Sequence, residues 1–92
     1  MPPVHPGEIL REEFLKPLQM NQDSLAAEIS VPARIGEIIR GKRGINAVTA
    51  LRLARYFNMT PQYWMELQTD YDLDESEEKI NREIRSRSVC AA

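Results

Sequence analysis

Two short apolar helical stretches, separated by a break of only three residues, constrain this chain more than any other feature. Gln22-x-x-Leu25-Ala26 with Ile29 reads as one helix face, Ser30-Val31-Pro32 interrupts it, and Ile35-x-x-Ile38 followed by Gly41 reads as the next. Pro32 biases Val31 away from the helical region, and Ser30 continues a helix poorly. Helices joined this tightly cross each other, and they cross closely only if a small residue stands at the contact. Ala26 is that residue. Leu25 and Ile29 then pack on Ile35 and Ile38, and the second helix turns its other face outward, at a size that fits a DNA major groove. Gly41-Lys42-Arg43-Gly44 follows directly, two cations between two glycines, where a loop would pass beside phosphates.

The rest of the chain frames this pair with further short helices. Val4-His5-Pro6-Gly7 opens the first, with proline at a position where its missing N–H is no loss. Ile9, Leu10, Phe14 and Leu18 give that helix an apolar stripe, Glu8, Glu12 and Glu13 suit its positive end, and Pro17 ends it. Asn21 and Asn46 are side-chain caps for the second and fourth helices. Ala50, Leu53, Ala54 and Phe57 recur at i, i+3, i+4 and i+7, and Asn58 is a left-handed terminator. Thr60-Pro61 starts a fifth helix in which Trp64 and Leu67 point inward, with Tyr71 and Leu73 extending the contact. Asp74-Glu75-Ser76-Glu77 has the form of a capping box, which predicts a separate charged helix or tail with a thin stripe of Ile80 and Ile84. No strand-like alternation of useful length appears. The fold class is therefore all-α.

The net charge of −2 conceals a strong division. Val31 to Arg55 carries +5, whereas Met1 to Ser30 and Thr69 to Ala92 each carry −3. A basic middle between acidic ends points to a polyanion for one face. The single cysteine, Cys90, excludes an internal disulfide framework and a cysteine-built zinc site. No apolar run approaches a membrane span and no secretory leader pattern opens the chain, so a cytoplasmic location without a membrane partner is expected.

With these residues in place the chain resembles the HigA/VapI-type antitoxins, within the larger phage-repressor-like (XRE) helix-turn-helix family. The resemblance is carried by His5-Pro6-Gly7-Glu8-Ile9-Leu10, Gln22 with Leu25-Ala26, Val31-Pro32, Glu37-Ile38-Ile39 and Gly41-Lys42-Arg43. It continues through Thr49 to Ala54, Phe57, Trp64 with Leu67-Gln68, and Tyr71-Asp72-Leu73. It implies a five-helix DNA-binding domain over residues 1–73 with a charged segment over 74–92, a homodimer on double-stranded operator DNA, and a HigB-type RNA-cleaving toxin as protein partner. Two departures stand out. Ser30 occupies a turn position that is usually glycine and must bear any left-handed strain itself. One residue is also missing between Ala33 and Arg34, so the register of the third helix is taken from Ile35, Ile38 and Gly41.

In that register Ala33 and Arg34 face the groove first and Glu37 lies one turn deeper. Arg34 is a bidentate partner for guanine, and Glu37 accepts from a cytosine amino group or orients Arg34. Gln22, Arg40, Lys42 and Arg43 are phosphate contacts. The C-terminal half, Trp64 to Leu73 with Ile80 and Ile84, is the expected dimer surface. The acidic tail fits a basic toxin or the dimer equally well. His5 reads as a helix-start or packing residue rather than a catalyst, and alternating Asp70, Asp72 and Asp74 lack the glycine and glutamate of a calcium loop. No cofactor, metal site or catalytic constellation is expected. A stand-alone repressor of the same fold and a protein-interaction module remain as alternatives.

Overall fold

The structure is a computed structural model. It describes residues 4–30 and 32–85, with Pro32, Ala33 and Arg85 described by backbone alone. Among the described residues all regular structure is helical: α1 (Pro6–Ile9) continuing into a π-helical turn (Leu10–Leu15), then α2 (Gln22–Ile29), α3 (Pro32–Ile39), α4 (Ala47–Phe57) and α5 (Pro61–Arg85). This is the expected five-helix phage-repressor-like arrangement. Val31 of the break and Val89 and Cys90 of the tail lie outside the described residues.

The caps form as the sequence dictates. Ser24 N–H donates to Asn21 Oδ1 at 2.8 Å, and Thr49 N–H to Asn46 Oδ1 at 2.9 Å. His5 Nδ1 accepts from Gly7 N–H at 2.9 Å, which makes His5 the cap of α1. Asn58 takes the left-handed conformation (φ 56°) that closes α4. Ser30 does the same at the end of α2 (φ 60°, ψ 40°), so this serine does carry the strain that glycine would avoid.

The core is built from Leu10, Leu15, Leu25, Ile29, Ile35, Ile38, Ile45, Leu53 and Trp64, all buried. Two positions differ from the periodic reading. Leu18 is exposed, and Leu15 is buried in its place. The cause is the π-helical turn, whose i→i+5 bonding includes Lys16 N–H to the Arg11 carbonyl at 3.0 Å. A wider turn stacks residues five apart rather than four, so Leu10 and Leu15 share the inward face. Phe14 is half-buried and meets Phe57 and Trp64 at ring-centroid separations of 4.9 and 5.0 Å.

The second difference is at the C-terminal side. No break occurs at Asp74: α5 is one uninterrupted helix of 25 residues. Neither glycine nor proline follows Pro61 within it, so a cap-like sequence alone does not stop propagation. Its inner turns pack on the body through Trp64. Leu73, Ile80 and Ile84 on its outer turns are exposed. Trp64 is wholly buried within its own core, so it is not available as the dimer contact expected from the sequence.

Candidate nucleic-acid interface

Three contacts fix α3. Its inward residues Ile35 and Ile38 are fully buried, which establishes the register taken from the C-terminal side. α1 crosses its end at backbone contact: a Cβ on Gly7 would overlap the Ile38 carbonyl oxygen and stand 2.6 Å from the carbonyl carbon. The third is at the turn, where Arg52 of α4 donates to the Ile29 carbonyl at 3.1 Å and satisfies an orphan acceptor at the end of α2. Held on these sides, α3 presents its remaining face outward.

On that face the side chains group in pairs. Gln22 and Arg40 converge over Gly36, with Gln22 Nε2 and Arg40 Nη1 each 3.3 Å from the point where a Cβ of Gly36 would lie. Glu37 and Arg43 form an ion pair at 3.0 Å. Glu37 therefore orients the loop cation Arg43 rather than Arg34. Arg34 is half-buried at the flank of the helix, and Lys42 is exposed in the loop. Neither makes an ion pair with the described residues. The side chain of Ala33 lies outside the described residues.

The basic loop is shaped by a helix terminator. Gly41 sits at φ 75°, its N–H donates to the Ile38 carbonyl at 3.0 Å, and Lys42 N–H donates to the Glu37 carbonyl at 2.8 Å. This is the Schellman pattern, which reverses the chain at once and throws Lys42 and Arg43 to the side of α3. The far side of the loop is tied to α5. Ile45 N–H donates to Gln68 Oε1 at 2.7 Å, and Gln68 Nε2 donates to Asp72 at 2.9 Å. The His5 ring packs edge-on against Tyr71 with centroids 4.8 Å apart, within reach of Gly41. Burial lowers the His5 pKa, while Asp72, Glu75 and a backbone hydrogen bond with Arg43 oppose that shift. The loop is thus a rigid arch, not a loose tether.

Gly36, Gln68 and Arg52 are the site residues to which the sequence motifs assign no role, although Gln68 and Arg52 lie within the stretches that carry the resemblance. Gly36 carried a signal, because a glycine inside a helix is unfavourable and often marks close approach of another backbone or ligand. Gln68 and Arg52 act across 23 residues of sequence, and no local pattern announces them. Among the described residues, no group of three or more His, Cys, Asp or Glu side chains could hold a metal ion. No described helix is long and apolar enough to cross a membrane.

A helix-turn-helix family model matches residues 12–64, which contain α2, α3, α4 and the turn between the first two. Virulence-associated protein I of Dichelobacter nodosus is 54% identical over 79 residues, covering 85% of this chain and 73% of that protein. The chain belongs to the helix-turn-helix family, in its HigA/VapI group. Among solved structures of that group, Pseudomonas aeruginosa antitoxin HigA with the higBA promoter superposes with a TM-score of 0.87 at 37% identity, over 98% of this chain and 99% of that one. The antitoxin GraA in complex with its operator superposes with a TM-score of 0.84 at 40% identity, over 100% of this chain and 93% of that one.

Proposed function

We propose that this helix-turn-helix protein is a non-enzymatic antitoxin. In this reading it binds operator DNA as a homodimer, represses its own operon in the cytoplasm, and neutralises an RNA-cleaving HigB-type toxin. The observation that carries the DNA half is the outward face of α3 with its adjoining arch. Gln22, Arg40, Lys42 and Arg43 surround a helix held rigidly from behind, on a fold shared with antitoxins solved with promoter and operator DNA. Ala33 and Arg34 enter the groove, with Arg34 bidentate to guanine. Gln22, Arg40 and Lys42 contact phosphates. Glu37 holds Arg43 beside α3 until a phosphate competes for the guanidinium or a cytosine amino group donates to the carboxylate instead. Residues 1–73 supply these contacts, and residues 74–92 serve protein partners.

The test is a titration of the protein on its own promoter at several salt concentrations, beside co-purification from cells expressing the adjacent reading frame. Specific binding should weaken linearly in log–log form as salt rises, with a slope that counts the phosphate contacts. Equal affinity for promoter and random DNA would overturn the repressor reading. A neighbouring small basic protein that neither co-purifies nor is neutralised would reduce the function to a stand-alone repressor.

A further inference from the structure

His5 touches three elements at once. Its Nδ1 accepts from Gly7 N–H at 2.9 Å and caps α1. Its ring packs edge-on against Tyr71 of α5, with centroids 4.8 Å apart. Its Cγ and Cδ2 lie 3.9 and 4.0 Å from the point where a Cβ of Gly41 would stand, so the ring also underlies the turn that opens the basic arch. A hydrogen bond with the Arg43 backbone favours the protonated ring, so the ring is its donor and the carbonyl its acceptor. With Nδ1 already accepting, that donor is Nε2–H. The arrangement specifies one neutral tautomer, which joins the start of α1 to the Gly41-Lys42-Arg43 turn.

A second proton on the ring is incompatible with this arrangement. At Nδ1 it faces the Gly7 N–H, donor against donor, and sets a positive charge at the positive end of a helix. The groups that attract the imidazolium stand on α5. They are Asp72 and Glu75, and both are already engaged: Asp72 accepts from Gln68 Nε2 at 2.9 Å, and Glu75 accepts from the Tyr71 hydroxyl and pairs with Lys79 at 3.7 Å. On the other elements, Glu8 of α1 is exposed and the Arg43 guanidinium is held by Glu37. A ring that turns to Asp72 leaves the Arg43 carbonyl. It also competes with Gln68, whose other end accepts from Ile45 N–H at 2.7 Å. Both ties of the arch are then loosened together.

We propose that His5 is a positioning residue for DNA recognition: the neutral ring holds the arch that presents Lys42 and Arg43, and a proton on Nδ1 releases the arch and lowers operator affinity. The inference rests on the operator-binding reading and adds to it a response to acid. The proton has two opposed effects. Its charge attracts any polyanion. A loosened arch keeps its cations and still binds any phosphate backbone, but it no longer fixes the register in which α3 meets the bases. Random DNA therefore registers the first effect alone, and operator DNA registers both.

Titration of the full chain on promoter and random DNA, from about pH 7.5 to about pH 5.5, tests this. The chain has one histidine, so variants of that residue isolate the step. Wild-type affinity for the promoter should fall by about fivefold or more across the range, while affinity for random DNA holds or rises. His5→Asn keeps an acceptor for Gly7 but is too short to reach Arg43, so it should discriminate less at neutral pH and lose nothing more in acid. His5→Gln reaches the Arg43 carbonyl and takes up no proton, so it should recover discrimination and keep it in acid. The tautomer is read without any variant, from the ring nitrogen chemical shifts of the free protein, and its proton should sit on Nε2. A proton on Nδ1 of the neutral ring would overturn the proposal. So would a wild-type profile that is flat, or parallel on the two DNAs, an equal acid loss in either variant, or full discrimination by His5→Asn at neutral pH. A wild-type chain that does not prefer its promoter at neutral pH would remove the operator reading and this inference with it, a result visible before any acid is added.

Discussion

Replacing Gly7 by alanine tests how α3 is held. The added Cβ would meet backbone, not a side chain that can swing aside: it overlaps the Ile38 carbonyl oxygen and stands 2.6 Å from its carbon and 3.0 Å from Ile39 Cα. Ordinary contacts to carbon lie at roughly 3.5–4.0 Å, and the overlapped oxygen is nearer still than the carbon, so α1 must withdraw from the end of α3 by more than about 1 Å. Forced overpacking of this kind costs about 1–3 kcal/mol, and rigid backbone on both sides places it at the upper end. Alanine returns about 0.5–1 kcal/mol through its better helical propensity, leaving a net loss of roughly 2 kcal/mol. At about 4–8 °C per kcal/mol for a domain of this size, the melting temperature should fall by roughly 8–16 °C. Thermal unfolding by far-ultraviolet circular dichroism reads this directly. Gly36→Ala is the matched control, since its Cβ meets only the flexible ends of Arg40 and Gln22. It should keep or raise the melting temperature while weakening promoter binding. A Gly7→Ala protein that melts at or above the wild-type temperature would refute the close crossing of α1 and α3.

Arg34→Ala should reduce discrimination between operator and random DNA by about 1–3 kcal/mol, whereas Lys42→Ala should weaken all sequences alike and lower the salt slope by about one unit; fluorescence anisotropy on both DNAs separates the two. Ser30→Gly should raise stability by roughly 0.5–1 kcal/mol in denaturant titration, because it removes the left-handed strain at φ 60°. The lowered His5 pKa means the unfolded chain binds this proton more readily than the folded one. Stability should therefore be lost as pH falls below 6.5 towards the folded-state value, and His5→Asn, which keeps a capping acceptor, should lack that component in melts compared across the range.

Much of this was legible from residue types. Asn21, Asn46 and Asn58 act where their side-chain chemistry says they should, because capping is local. The packing of Leu25 and Ile29 against Ile35 and Ile38 follows from helical spacing, and it fixes which way α3 faces despite the missing residue before Arg34. The failures have physical causes of two kinds. At Leu15 and Asp74 a local rule was overridden by another local force, the π-helical turn in one case and uninterrupted propagation in the other. At Gly7, Gln68 and Arg52 the partner is distant in sequence. The pairing of Glu37 with Arg43, six residues away, depends on the chain reversal at Gly41 and could not be read from helical spacing.

The position of α5 has one more consequence, and it concerns approach rather than contact. Gln68 holds its inner turns to the basic arch, and sixteen residues of straight helix then carry Ile84 about 24 Å further out. The outer turns are net acidic and the arch is basic, so a protein with a net charge of only −2 carries its charges separated along α5. In the field of a polyanion such a molecule experiences a torque before it touches anything: the arch is drawn in and the acidic rod is turned away. Collisions in the wrong orientation become rarer, and the association rate rises without any change in the contacts finally made. That advantage is a long-range field effect, so added salt should erase it, slowing encounter even where the docked complex itself is unaltered.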